Sequence, residues 1–120
     1  MRRDITPRMR KVNELLREVI AEAVIDLKDP GIGFLTITGV DTSPDLRTAM
    51  VFYSVLGSDE ELEDTGAALD RAAPHLQEIA GQQIRMKYTP RLTFMVDPAI
   101  GEGEKIDQLL KEIGEETQWD

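Results

Sequence analysis

Three cations, Arg8, Arg10 and Lys11, fall within four residues near the start of the chain, and Arg71 and His75 flank Pro74 far downstream. Side chains of these types hold anions through charge and hydrogen bonds, and a histidine beside a nucleophile can also move protons. The parts for proton chemistry are missing. The chain has no cysteine and a single histidine, so neither a thiolate nor an imidazole pair is available as nucleophile, base or metal ligand. Its many carboxylates sit on helix faces. The acidic run Asp59, Glu60 and Glu61 lacks the alternating acids and central glycine of a calcium loop. Gly101-Glu102-Gly103-Glu104-Lys105 is too short and too acidic to cradle a nucleotide phosphate. No metal site, cofactor or small-molecule substrate is expected, and the chain reads as a binder rather than an enzyme.

Anion binding must be squared with a net charge of −9 over 120 residues. Affinity for a polyanion comes from Lys and Arg that displace its counterions, so an acidic chain is at first sight a poor candidate. The distribution of charge alters that view. Residues 1–17 hold six basic residues against Asp4 and Glu14, a net of +4, which leaves −13 for the remainder. Such asymmetry suits a one-sided, oriented contact. The plain alternative is an uneven but merely solvated surface.

The elements that must position these side chains follow from periodicity. Thr6-Pro7 is a helix entry, with threonine as N-cap and proline at the first helical position. Met9, Val12, Leu15, Leu16, Val19, Ile20, Ala23, Val24 and Leu27 then make one wide apolar stripe. Arg8, Arg10 and Lys11 oppose the dipole of this helix, each at a cost of a few tenths of a kcal/mol. A phosphate partner would explain the tolerance. Exposed, screened charges would also be cheap.

Asp29-Pro30-Gly31 stops the helix. Phe34 to Val40 and Leu46 to Leu56 read as strands joined by the turn Ser43-Pro44-Asp45, with Gly39 marking a bulge. On the second strand Ala49, Val51, Tyr53 and Val55 share a face. Ser58 and Glu61 form a capping box for the next helix. That helix meets Pro74, which cannot donate to the residue four back, so a kink or fresh start is expected at Ala72, Ala73 and Pro74. A second helix starting there would offer free amides to an anion between Arg71 and His75. Leu92 to Val96 is a third strand, Ile106 to Ile113 a short last helix, and the tail 114–120 is expected to fray.

The result is one α+β domain over 1–120 with its core at about 6–113, a three-stranded sheet covered on one face by helices. No window approaches the roughly 18 apolar residues of a membrane span, and a cytoplasmic monomer is expected.

The ordered fragments resemble the ribosome-binding factor A family, the bacterial small-subunit assembly factors. They comprise Arg8, Lys11 and Val12; Asp29-Pro30; Ser43 with Asp45-Leu46, Ala49 and Tyr53-Ser54; and Ala68-Leu69, Ala72 and Gly81. Pro90, Leu92, Phe94 and Asp97 follow, and then Ile106-Asp107 with Leu109-Leu110. The resemblance implies a KH-like domain of the bacterial type II, with a kinked helix pair. KH domains clamp nucleotide backbone with a Gly-x-x-Gly loop. The family usually replaces that loop with an Ala-x-Gly kink, which here reads Ala72-Ala73-Pro74. Gly31 stands where the family often has arginine, and Lys87 keeps a charge but not the planar fork of arginine.

The resemblance further implies a factor that binds free 30S subunits and 16S rRNA and assists late maturation and 5′-end rRNA processing. On that footing Arg8, Arg10 and Lys11, with Arg71, His75, Arg85 and Lys87, are the expected RNA-binding residues. The rival is a protein-interaction module that binds ribosomal proteins with little RNA contact. His75 as a plain surface residue, and Arg85 and Lys87 as turn-flanking polar residues, are the bland readings of those side chains.

Overall fold

The computed structural model describes residues 5–98. The expected last helix at 106–113 and the tail at 114–120 lie outside them. Helix α1 spans Pro7–Ile25, and the Thr6 hydroxyl accepts from the Met9 N–H at 3.1 Å as the expected cap. Met9, Val12, Leu16, Ile20, Ala23 and Val24 are its buried stripe. The helix stops two residues short of Leu27, with Asp26 as its C-cap.

Strands β1 (Phe34–Thr42) and β2 (Thr48–Leu56) pair antiparallel, and β3 (Arg91–Val96) pairs parallel to β2, which is therefore central. Ala49, Val51, Tyr53 and Val55 are buried on one face of β2, as the alternation predicts. The bulge falls between Ile37 and Gly39, where Thr38 is the extra residue. Its consequence is a change of face. Strict alternation from Leu35 and Ile37 would carry Gly39 and Asp41 into the core. The inserted residue instead sets Val40 against Val51 and Thr42 against Ala49. Thr42 is fully buried, and the Asn13 side-chain carbonyl on α1 accepts from both its N–H (2.9 Å) and its hydroxyl (2.8 Å). That contact seats α1 on the sheet. The far face of the sheet carries Phe34 (77% exposed), Leu56 (78%) and Met95 (47%).

Helix α2 spans Asp59–Gln83 and opens on the expected capping box, in which the Glu61 N–H donates to the Ser58 hydroxyl and the Ser58 N–H to the Glu61 carboxylate. The fresh start expected at Ala72, Ala73 and Pro74 does not occur. The chain forms one helix of 25 residues that runs through Pro74. No second helix begins there, so the anion site of free amides between Arg71 and His75 is not formed.

Packing explains why the proline is tolerated. Leu69, Leu76 and Ala80, on both sides of it, are fully buried in the same core, whereas Asp70 and Pro74 are exposed. The carbonyl of Asp70, which Pro74 cannot serve, therefore lies on the solvent side, where water can replace the missing donor. Burial on one face holds the helix through a local defect on the other. Gly66 adds a close approach, since a Cβ there would stand 2.9 Å from the Tyr53 hydroxyl.

Replacing Pro74 with alanine restores the missing donor. The roughly 3 kcal/mol helix penalty of proline, less up to about 1 kcal/mol of entropy that proline removes from the unfolded chain, predicts stabilisation by about 2 kcal/mol. Urea melts at neutral pH measure this. An unchanged midpoint would mean that contacts of the ring offset the lost hydrogen bond.

Candidate nucleic-acid interface

The start of β2 lies beside the start of β3, with Thr48 paired to Arg91. The β1–β2 turn and the α2–β3 loop consequently occupy the same end of the domain. The Arg91 N–H donates to the Arg47 carbonyl at 2.8 Å and ties the two together. From α2, the Gln77 side-chain amide bonds to Pro90 O (2.8 Å) and to Leu92 N (3.0 Å), a two-point clamp on the free edge of β3. Buried Ile84 and Pro90 anchor the α2–β3 loop at its two ends, leaving Arg85, Lys87 and Tyr88 exposed between them.

The first turns of α1 run past this loop. Arg8 and Lys11, three residues apart and so on one helix face, line a groove of about 500 Å³ with Leu15, Arg85, Met86 and Lys87. A neighbouring groove of about 330 Å³ shares Arg8, Met86 and Lys87 and adds Asp45, Leu46, Arg47 and Tyr88. Five cations thus come together at one end of the fold: Arg8, Lys11, Arg47, Arg85 and Lys87. Among the described residues, the single acid lining these grooves is Asp45. Its carboxylate accepts from the Ser43 hydroxyl (2.6 Å) and the Arg47 N–H (3.0 Å), which hold its pKa below the usual 3.8. The arrangement can grip a run of phosphates.

The family model for ribosome-binding factor A matches residues 8–110. The chain belongs to the ribosome-binding factor A family. A ribosome-binding factor A from Citrifermentans bemidjiense is 44% identical over 105 residues, 87% of this chain and 88% of that protein. The one from Halothermothrix orenii is 37% identical over 114 residues, 94% and 93% of the two chains. The crystal structure of ribosome-binding factor A from Thermus thermophilus superposes with a TM-score of 0.69 at 27% identity, covering 76% of this chain and 97% of that one. A homology model of the Thermus thermophilus factor, fitted into a cryo-EM map of its complex with the 30S subunit, gives a TM-score of 0.62 at 28% identity over 74% and 94%. The fold is the KH-like one implied by the resemblance, with α1 and α2 on one face of the mixed three-stranded sheet.

Of the seven side chains expected to bind RNA, four (Arg8, Lys11, Arg85 and Lys87) meet in the paired grooves. Arg10 stands two residues on from Arg8, on another side of α1, and lines neither groove. His75 lines a separate cleft of about 170 Å³ between α1 and α2, with Glu22 and Asp26 as neighbours. Arg71 is engaged elsewhere. Its Nε and Nη2 each bond to a carboxylate oxygen of Asp29 at 3.0 Å, and Asp29 also accepts from the Gly31 N–H at 2.9 Å. Together with Thr65, whose hydroxyl accepts from the Gly33 N–H, this pair fastens the α1–β1 linker to α2. Two groove residues, Arg47 and Tyr88, escaped the sequence-based map. The available signal was an exposed aromatic immediately after Lys87 in a loop.

The Arg71 hydrogen bonds, then that of Gly31, hold the Asp29 carboxyl below its ordinary 3.8. A carboxylate with a depressed folded pKa adds stability that is present above the unfolded value and lost as pH falls through the folded one. Arg71→Ala is therefore expected to lower the melting temperature slightly at neutral pH. The difference from the parent chain should stay constant down to about pH 4 and vanish below it. Thermal melts between pH 2 and 7 test this, and a difference that persists in acid would remove Asp29 as its cause.

Proposed function

We propose that the chain binds the small ribosomal subunit by laying its basic end on 16S rRNA, and that it assists late subunit maturation and 5′-end rRNA processing as a monomeric binder without chemistry of its own. One observation carries the reading. Five cations from three segments distant in sequence converge on one end of a chain whose net charge is −9. The fitted complex of the Thermus thermophilus factor with the 30S subunit supports the choice of partner. Maturation needs no catalytic group under this mechanism. Affinity for one rRNA arrangement over another shifts the population toward the first, by as much as the two affinities differ.

A second reading rests on the far face of the sheet. Phe34, Leu56 and Met95 form an exposed apolar surface there that suits ribosomal proteins better than phosphates.

Co-sedimentation with purified 30S subunits, 50S subunits and 70S ribosomes across a salt series separates the two readings. An rRNA grip predicts selective binding to free 30S subunits that weakens steeply with salt. Arg8→Glu with Lys11→Glu should reduce affinity by about tenfold or more and flatten the salt slope by about one to two. Unchanged binding by that double variant, with an unchanged slope, would remove the basic end as the contact. Salt-insensitive binding would move the contact to the apolar face.

A further inference from the structure

Tyr88 is the aromatic side chain of the basic end, and it is 60% exposed. The Arg47 guanidinium lies 5.5 Å from its ring centroid and the Lys87 ammonium 5.6 Å. Among the described residues neither cation has a carboxylate within salt-bridge distance. Each is held near the ring by weak attraction to its electron-rich face, and each is available to a stronger anionic partner.

The backbone that aims Arg47 has little freedom. Leu46 adopts the left-handed conformation (φ 60°), which costs a side-chain-bearing residue energy and persists where the surroundings enforce it. Here they do. The Leu46 side chain is buried in the core, its N–H donates to Ser43 O at 2.9 Å, and the next N–H, that of Arg47, is taken by Asp45. On the other wall, Lys87 and Tyr88 sit between buried Ile84 and the Pro90–Leu92 stretch clamped by Gln77. The groove beside them is thus framed on two sides by fixed backbone, with an open aromatic ring and two cations at its mouth.

We propose that Tyr88 is the stacking platform for one unpaired nucleobase of a single-stranded rRNA segment, with Arg47 and Lys87 leaving the ring to hold the phosphates on either side of that base. The inference rests on the rRNA reading above and deepens it, because phosphate contacts alone give no use for the ring. Every base has a π-face, so such a platform tolerates sequence and selects instead for bases free of a helix. It directs the protein to unpaired rRNA, the kind of segment an unfinished subunit exposes.

The test compares the parent chain with Tyr88→Ala, Tyr88→Phe and Arg47→Ala. The probes are a labelled decauridylate, followed by fluorescence anisotropy, and purified 30S subunits, followed by co-sedimentation, both over a salt series. Tyr88→Ala should bind both probes about tenfold more weakly with an unchanged salt slope, since a stack is lost and no charge is. Tyr88→Phe should match the parent within about twofold, and Arg47→Ala should lower the slope by about one. Parental affinity in Tyr88→Ala overturns the proposal. So does a loss in Tyr88→Phe equal to that in Tyr88→Ala, which would assign the effect to the hydroxyl. Loss on 30S subunits alone would place a protein against Tyr88, and loss on decauridylate alone would make the stack irrelevant to the subunit; either result overturns it. In all these cases the rRNA reading survives if charge reversal at Arg8 and Lys11 still weakens binding to the 30S subunit. Salt-insensitive 30S binding by the parent chain overturns both.

Discussion

Pairing β3 parallel to β2 obliges the chain to travel from the end of β2 back to the start of β3 along the whole sheet, and the rest of the structure depends on how α2 makes that return. A nine-residue strand spans about 30 Å, and the 25 residues of α2 span about 37 Å as one helix. One continuous helix covers the distance with a short loop to spare. Leu69, Leu76 and Ala80 enforce continuity by burial on the sheet side, and Pro74 faces water, where the absent hydrogen bond is least harmful.

The same return path sorts charge between the two ends of the domain. The β1–β2 turn, the start of α1 and the α2–β3 loop share one end, and all the groove cations are there. The α1–β1 linker and the β2–α2 turn share the other, since Phe34 pairs with Leu56, and that end carries Asp26, Asp29, Asp59, Glu60 and Glu61. Helix dipoles bear on the two ends differently. The acids at the start of α2 stabilise its positive end. Arg85 follows closely on the C-terminus of α2, where a cation is favoured. Of the two described helices, only α1 carries cations against its dipole, with no acid in its first turn. Its N-terminus and its cations therefore add to one positive field at the end where the grooves open.

Local rules read much of this correctly from sequence, and the exceptions share a cause. The capping box, the bulge at Gly39, the β1–β2 hairpin and the buried face of β2 are set by contacts within a few residues or by strict alternation. At Pro74 the fresh start does not follow, because whether a missing donor ends a helix depends on which face of the helix it occupies. Arg71 stands apart from the grooves for a related reason. Its partner Asp29 is 42 residues away, and nothing near Arg71 in the sequence announces it. Arg47 and Tyr88 meet across a similar gap, through a strand pairing that hydropathy alone does not register. The separation of Arg10 from Arg8, by contrast, was available from helical phase, since residues two apart point to different sides.

Distance decides what the acidic remainder of the chain can do. With α2 as the ruler, the basic and acidic ends stand about 30 Å or more apart, whereas the Debye length at physiological salt is about 8 Å. Phosphates seated at the basic end lie several screening lengths from Asp29, Asp59 and Glu60. The acids consequently subtract little from the affinity of a correctly docked complex. They act instead on encounters in which the acidic end leads, and those are repelled at short range. Separation along one helix thus lets a chain of net charge −9 retain a local surface whose field favours anions. Whether such a chain can bind a polyanion is a question about the placement of charge within a few ångströms of the contact, and its total charge answers only how it behaves elsewhere.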